Sequence, residues 1–178
     1  MTKRTQVTTS DQQRWGLRYR VYLGVGSNRG DSFWNITEGL RLLCDPSFDC
    51  ESDNGGDFRF VRSSFLYRTA PMYRADQAPF WNGAVECRTD CDPESLLRRL
   101  KVVEGRLGRK NLDESDDNYI RNGPRTLDMD ILLYFEASGD GDGETLTPVI
   151  MDTPHLTIPH RRIDRKSTRL NSSHTVIS

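Results

Sequence analysis

Apolar residues along this chain fall partly into short continuous runs and partly into stretches with helical spacing. The continuous runs are rich in Val, Leu, Phe and Tyr, and each is bounded by Gly, Pro, Asn or Asp. Such runs predict strands over 18–25, 58–67 and 80–87. A fourth run starts at Thr126 and continues through Tyr134, which predicts the most apolar strand of the chain.

Two stretches show the spacing of an amphipathic helix. Asp31 or Ser32 can cap a helix over 33–43, and Asp92 can cap a second helix that has Pro93 at its first position. The first helix is expected to bury Ile36, Leu40 and Leu43. The second is expected to bury Leu96, Leu97, Leu100, Val103 and Leu107.

The predicted order of elements is β-α-β-β-α-β. This order is typical of the ferredoxin-like class of α+β folds, a four-stranded antiparallel sheet with both helices packed on one face. We expect residues 18–163 to form this single domain. Residues 1–17 are polar and lack periodicity, so they are predicted to be a disordered extension.

Composition excludes several classes of function. The 178 residues carry a net charge of −1, which argues against binding to nucleic acid or to an anionic membrane. No apolar run approaches the about 20 residues of a membrane helix, and residues 1–20 lack a secretory signal. The four cysteines do not pair with histidines at zinc spacing, so free thiols are expected. We therefore expect a cytoplasmic monomer.

Two carboxylates interrupt the apolar strand, at Asp128 and Asp130. Residues two apart share one face of a strand, which places these carboxylates roughly 7 Å apart on the same side. Magnesium favours a site of this kind, with oxygen ligands from one or two carboxylates and from a phosphate. Arg125 lies just upstream, and its planar guanidinium suits phosphate. The alternative is an edge strand whose aspartates only face water.

Other residues add weaker signals. Phe80 and Asn82 share a strand face, where a ring can stack on a flat heterocycle and an amide can hydrogen-bond its edge. Arg109 and Arg125 bracket a charged connector and can converge on a polyphosphate. His160 can hydrogen-bond phosphate. For each of them a purely structural or surface role is the alternative.

Six ordered blocks of sequence resemble the 6-hydroxymethyl-7,8-dihydropterin pyrophosphokinase family of folate biosynthesis. They include Gly26-Ser27-Asn28, Phe80-Trp81-Asn82 and Pro124-Arg125-Thr126-Leu127-Asp128-Met129-Asp130. The full set of blocks is 23–28, 64–71, 80–82, Glu104 with Gly108-Arg109, 123–130 and 156–160. The resemblance runs from about residue 22 to residue 163.

The resemblance implies a transfer of pyrophosphate from ATP to the pterin hydroxymethyl group, with release of AMP. It implies that Asp128 and Asp130 hold two Mg²⁺ ions and that Arg109 and Arg125 close over the phosphates. The implied pterin site consists of Thr69, Ala70, Met72, Phe80 and Asn82. The implied ATP site consists of Glu104, Arg125, Ile131, His155, Thr157 and His160.

The chain departs from the family pattern at two places. Asn122 stands where the family often has an aromatic residue that covers the pterin. The family pattern also ends at Ile163, and 164–174 read as an in-frame translation of a common sequencing-library adapter. We therefore expect 164–178 to be foreign, disordered sequence. Because the resemblance implies a second pterin-covering ring beyond residue 163, the chain as written is expected to be a weak or inactive enzyme.

Two other classes of function compete with this interpretation. RNA-recognition domains share the predicted topology and stack bases on sheet aromatics. Asp128 and Asp130 would repel RNA phosphate, however, and an aromatic-rich signature strand is missing from the sequence. A non-catalytic interaction module is the third class, and metal-dependent ATP binding separates the enzyme from both.

Overall fold

The computed structural model describes residues 17–47, 56–109, 123–139 and 143–163. The predictions for the N-terminal extension before residue 17, for Asn122 and for the tail 164–178 lie outside these described residues.

Six strands form one sheet in the order β2-β4-β1-β5-β6, with the short β3 paired to β4 as well. Every pairing between neighbours is antiparallel. The strands are β1 (Tyr19–Ser27), β2 (Phe58–Ser63), β3 (Tyr67–Thr69), β4 (Phe80–Thr89), β5 (Asp128–Ser138) and β6 (Thr145–Pro148). A separate two-stranded ribbon consists of β7 (Met151–Asp152) and β8 (Thr157–Ile158).

Within the described residues, two helices pack on this sheet, α1 (Ser32–Leu43) and α2 (Pro93–Arg106). The Asp31 carboxylate accepts a hydrogen bond from the Trp34 N–H at 2.9 Å, which satisfies one of the free donors at the start of α1. Asp92 accepts from the N–H groups of Glu94 and Ser95, both at 3.0 Å. Both predicted caps are confirmed, and the prediction of α1 was one residue short at its start.

The core lies between the helices and one face of the sheet. On β1 the buried positions alternate, with Val21, Leu23 and Val25 at most 3% exposed. Side chains of α1 and α2 enter the same buried cluster, which contains Ile36, Leu43, Leu96, Leu100, Val103, Met129 and Ile131. Close helix packing depends on Gly39, because a Cβ there would lie 2.5 Å from Leu127 Cδ2. The opposite face of the sheet, which carries the even-numbered residues of β1, remains available for a site.

A buried arginine ties α1, α2 and the start of β2 together. Arg99 on α2 is 6% exposed, and its guanidinium donates to the carbonyl of Leu43 at 2.8 Å and to that of Gly56 at 3.0 Å. The same guanidinium lies over the Phe58 ring, 5.9 Å from its centre. Arg99 therefore stabilises the C-terminal end of α1, where backbone carbonyls lack helical partners.

Two predictions about the sheet were wrong. The single strand expected over 58–67 is divided into β2 and β3, because residues 64–66 leave the ladder while both segments pair with β4. The sheet also has six strands and not four. The additional β6 pairs with the outer edge of β5 over Phe135–Ser138. The two strands form an antiparallel hairpin beyond the apolar run that ends at Tyr134.

Candidate active site

A cavity of about 550 Å³ lies on the sheet face opposite the core. Its walls come from β1, β4 and β5, from the segment between β3 and β4, and from residues 153–162. Most of the predicted site residues line it: Thr69, Ala70, Met72, Phe80, Asn82, Arg125, Asp128, Asp130, Ile131, His155, Thr157 and His160. Glu104 and Arg109 do not belong to the lining and are placed behind it.

Asp128 and Asp130 begin β5, and the strand register explains why they can face the cavity. Asp128 pairs with Gly26 on β1, and Asp130 pairs with Gly24. These glycines carry no side chain on the cavity face, so the aspartates are only half-buried while Met129 between them is fully buried. The predicted alternation along β5 is confirmed, and both carboxylates border the same cavity.

Positive charge converges on Asp128 from two sides. The Arg125 guanidinium donates to Asp128 Oδ1, and Arg109 Nη1 lies 3.1 Å from the same oxygen. Burial alone would lower the pKa of Arg125, but the charges of Asp128 and Asp130 outweigh it and raise that pKa. The two arginines predicted to converge on phosphate thus already meet at one carboxylate, and Arg125 is the one of the pair that borders the cavity with its hydrogen-bond donors.

Glu104 lies in the interior behind β5. Its side chain is fully buried, and its Oε1 accepts from the Met129 N–H at 2.7 Å. Its Oε2 accepts from Lys101 Nζ at 2.9 Å and lies 2.5 Å from Arg109 Nη1. Burial raises the pKa of Glu104, against the opposing charges of Lys101 and Arg109. Glu104 therefore fixes the β5 backbone and Arg109 and does not border the cavity.

An aromatic ring and an amide border the cavity on the other side of β1. Phe80 and Asn82 lie on the cavity side of β4, and Asn82 Nδ2 donates to the hydroxyl of the buried Thr69 at 2.7 Å. Asn82 Oδ1 occupies the space above Gly26, since a Cβ on Gly26 would lie 2.4 Å from that oxygen. Gly26 pairs with Asn82 on one side and with Asp128 on the other, so its lack of a side chain leaves room for the amide on this face of the sheet.

The third wall follows the β7–β8 ribbon. Thr157 Oγ1 donates to Asp152 Oδ1 at 3.0 Å, and Arg161 Nη2 donates to the same oxygen at 2.8 Å. These two bonds, with that from Arg161 the stronger influence, lower the pKa of Asp152. Hydrogen bonds to the backbone of two other residues hold His160. Its N–H donates to the Leu132 carbonyl at 3.0 Å, and its Nδ1 accepts from the Arg162 N–H at 3.1 Å.

Sequence reasoning missed three residues around the cavity. Asp152 orients Thr157 and Arg161, and nothing in the sequence signals this, because a lone Asp between two turns usually faces solvent. Tyr73 lines the mouth, where the Arg162 guanidinium lies 5.3 Å from its ring centre. Asn28 follows β1 directly and ends the Gly-Ser-Asn motif, which was the available signal.

The carboxylate pair fits a magnesium ion chemically. Among the residues that the structure describes, no group of three or more His, Cys, Asp or Glu is arranged to hold a metal. Magnesium needs only one or two protein carboxylates when phosphate oxygens and water complete its shell, and half-buried Asp128 and Asp130 satisfy that condition. Within the described part of the chain, no helix is both long and apolar enough to cross a membrane.

The fold and the cavity define a class of protein: a small two-helix α+β domain whose sheet carries paired carboxylates, flanking arginines and an aromatic–amide corner in one cavity. A family model described as 7,8-dihydro-6-hydroxymethylpterin-pyrophosphokinase (HPPK) matches residues 22–176. The chain therefore belongs to the HPPK family, which confirms the resemblance seen in the sequence.

Individual relatives agree with this assignment. The chain is 32% identical over 148 residues to 2-amino-4-hydroxy-6-hydroxymethyldihydropteridine pyrophosphokinase of Pseudomonas aeruginosa, which covers 83% of this chain and 74% of that protein. It is 35% identical over 163 residues to the mitochondrial folate synthesis bifunctional protein of Arabidopsis thaliana, covering 92% of this chain and 24% of the relative. It is also 33% identical over 140 residues to folic acid synthesis protein FOL1 of Dictyostelium discoideum, which covers 79% of this chain and 17% of that protein. The chain thus spans about a fifth of the length of these two longer relatives.

Proposed function

We propose that this chain transfers the pyrophosphoryl group of ATP to the hydroxymethyl oxygen of 6-hydroxymethyl-7,8-dihydropterin, in folate biosynthesis. One observation carries the proposal: a single cavity is bordered both by the carboxylates and Arg125 and by Phe80, Asn82 and Thr69. A phosphate-binding side and a flat-ring side therefore lie next to each other, on either side of β1, in one cavity of about 550 Å³. Membership of the HPPK family supports the same reaction.

The phosphate side would work through charge and position. The pterin oxygen attacks the β-phosphorus of ATP, the bond from that phosphorus to the α–β bridging oxygen breaks, and AMP leaves with that oxygen. Arg125 and Arg109 donate to phosphate oxygens as negative charge builds up. Asp128 and Asp130 would hold Mg²⁺, which when bound neutralises phosphate charge. The hydroxymethyl proton passes to solvent, and the proposal assigns no side chain as base.

The ring side would hold the pterin. Phe80 offers a face for stacking, and Asn82 offers an amide that Thr69 holds in place. Ala70 and Met72 supply backbone groups beside them at the cavity mouth. A pterin presents a row of alternating donors and acceptors along one edge, and an amide next to backbone N–H and C=O groups is complementary to such an edge.

The ATP side would include Thr157, His160, His155 and Ile131, with Glu104 acting from behind. His160 and Thr157 border the cavity with fixed orientations, since their partners hold them. Ile131 is 2% exposed and contributes an apolar edge. For Glu104 we propose support of Arg109 in place of direct contact with ATP, because the carboxylate is fully buried.

We also propose that the central strands adopt the ferredoxin-like arrangement. The spatial order β2-β4-β1-β5, with α1 between β1 and β2 and α2 between β4 and β5, supports it. We retain 18–163 as the domain. The cytoplasmic location and the monomeric state stay predictions, and one relative carries a mitochondrial name.

A direct assay tests the proposed function. The 178-residue chain is incubated with ATP, Mg²⁺ and 6-hydroxymethyl-7,8-dihydropterin, and the products are separated by chromatography. We expect AMP and the pterin diphosphate in equal amounts, formed slowly because the second pterin-covering ring is expected to be missing, and neither product when EDTA is added. ATP turnover that ignores the pterin would contradict the proposal, and so would ADP as the product. Tight binding of single-stranded RNA without ATP binding would favour the RNA-recognition alternative.

A further inference from the structure

Asn28 does not border the cavity but connects two of its walls, the one that contains Arg125 and the one that contains Gln77. The residue follows β1 directly and is 6% exposed. On one side, the Arg125 N–H donates to Asn28 Oδ1 at 2.8 Å, and the Asn28 N–H donates to the Arg125 carbonyl at 3.0 Å. On the other side, Asn28 Nδ2 donates to the Ala78 carbonyl at 2.9 Å and to Gln77 Oε1 at 3.2 Å.

The orientation of this amide is fixed by its partners. Only the oxygen of the side chain can accept from the Arg125 N–H, and only the nitrogen can donate to two oxygens at once. The two ends of the Asn28 amide therefore have different roles. Oδ1 accepts a hydrogen bond from the phosphate side of the cavity, and the two N–H groups of Nδ2 donate to the ring side. Aspartate, serine or alanine cannot supply both ends at this length.

The segment that Asn28 holds on the ring side, residues 74–78, is linked by hydrogen bonds of its own. Arg74 pairs with Asp76 at 3.0 Å, and Gln77 Nε2 donates to the Arg74 carbonyl at 3.1 Å. These bonds close residues 74–77 on themselves, so an anchor at Gln77 and Ala78 positions the whole segment. That segment leads from Met72 and Tyr73 at the cavity mouth to Phe80 on its floor.

We propose that Asn28 is a positioning residue for pyrophosphoryl transfer, which sets the separation between the pterin wall and Arg125. The inference rests on the proposed function. It assigns a separate consequence to each end of the amide. Losing the Nδ2 end should weaken the binding of pterin, whereas losing the Oδ1 end should displace Arg125 and lower kcat.

Three variants and one matched control test this division. Asn28→Asp keeps the acceptor for Arg125 but turns an oxygen toward Ala78 and Gln77, so the KM for pterin should rise roughly tenfold, as for two lost hydrogen bonds. Gln77→Ala lies on the half-exposed rim and should raise the same KM by about threefold without threatening the fold. Asn28→Ala should raise the KM for pterin and also lower kcat.

Asn35→Ala is the control. Asn35 is also 6% exposed and donates to the Arg29 carbonyl at 2.8 Å and to Ser27 Oγ at 3.4 Å, so it holds the residues on both sides of Asn28 and not Arg125, Gln77 or Ala78. It should lower the melting temperature as Asn28→Ala does while leaving the ratio of the two substrate KM values unchanged. Equal changes in both KM values for Asn28→Asp, or the same shift in that ratio for Asn35→Ala, would overturn the inference.

Hydrogen exchange of the ligand-free chain separates this inference from the proposed function. Asn28→Asp should speed exchange of amides 74–78 while the Arg125 amide stays protected, and Asn28→Ala should speed both. If the wild-type chain makes no AMP but this exchange pattern appears, the proposed function fails and the coupling of the two walls stands. A uniform rise across the whole domain would mean that Asn28 only stabilises the fold.

Discussion

Glu104 Oε1 accepts a hydrogen bond from the Met129 backbone N–H at 2.7 Å, so a buried charge holds β5 at the residue between the two site aspartates. Because Asp128 and Asp130 flank that amide, their direction into the cavity depends on where Glu104 holds the strand. The same carboxylate positions Arg109, which lies 3.1 Å from Asp128 Oδ1. The buried Glu104 side chain thus positions both the site carboxylates, through the backbone of β5, and the guanidinium of Arg109.

Replacing Glu104 by Gln should destabilise the protein and the site together. An amide has one acceptor and presents N–H groups where Lys101 and Arg109 need an oxygen. We expect the free energy of unfolding to fall by about 2–3 kcal/mol in urea titrations. The control is Glu136→Gln, whose exposed pair with Arg18 should contribute less than about 0.5 kcal/mol. Equal stability of the two variants would show that Glu104 has no structural role.

Asp128→Asn and Asp130→Asn should each remove transfer activity while leaving the fold intact. Both side chains are half-buried at the cavity and outside the core, so melting temperatures should stay within a few degrees of wild type. Loss of one magnesium ligand should reduce turnover to below about one-hundredth. Asp57→Asn, an exposed carboxylate paired with Arg59, is the control. Near-wild-type turnover of either site variant would refute the metal assignment.

Glu144 should make stability depend on pH. Its carboxylate pairs with Arg88, which is 1% exposed, and with Arg20. The hydrogen bond from Arg88 is the main cause that lowers the pKa of Glu144. A carboxyl whose pKa is lower in the folded state stabilises the protein above its unfolded pKa of about 4.3 and stops doing so as pH falls through the folded value.

Glu144→Gln should therefore cost about 2 kcal/mol at pH 7, because a buried arginine loses an ionic partner, and progressively less below about pH 4. Thermal unfolding at several pH values measures the difference. Glu38→Gln serves as a control, since its partner Arg41 is exposed on the surface of α1 and the pair should contribute little at any pH. A constant difference between wild type and Glu144→Gln from pH 7 to pH 3 would exclude the ionic explanation.

The origin of residues 164–178 can be decided at the DNA level. The family model extends over residues 164–176, whereas 164–174 resemble a translated sequencing adapter, so the foreign origin stays a prediction. We expect resequencing of the source locus to diverge after Ile163. A genomic read that continues with the same fifteen codons would show that the segment is natural. A chain with a restored family C-terminus should then be compared in the AMP assay.

The parts of the fold that depend on neighbouring residues in sequence were predictable. Asp92 followed by Pro93 indicates a helix start by itself, and the alternation around Met129 indicates which side Asp128 and Asp130 share. β6 was missed because Thr145–Pro148 is short and mostly polar, and only the exposed edge of β5 makes it a strand.

Long-range contacts explain what the sequence could not predict about the site. A glutamate on a helix is normally exposed, yet Glu104 is buried because Lys101, Arg109 and the Met129 amide all converge on it. The role of Asn28 depends on Ala78 and Arg125, which lie 50 and 97 positions away along the chain. Such partners are brought together only by the folded sheet.

The guanidinium of Arg99 fixes both ends of an interval of chain, since it holds the Leu43 carbonyl and the Gly56 carbonyl at once. The two exits toward residues 48–55 therefore stay close together whatever number of residues joins them, and extra length there carries only a slowly growing entropic cost. This makes the interval a natural position to insert a fluorescent protein or an affinity tag. Gly56, which follows the interval, lies beside Cys91 at the opposite end of β1 and β4 from Asn28 and the cavity, so the inserted domain would leave substrate access open.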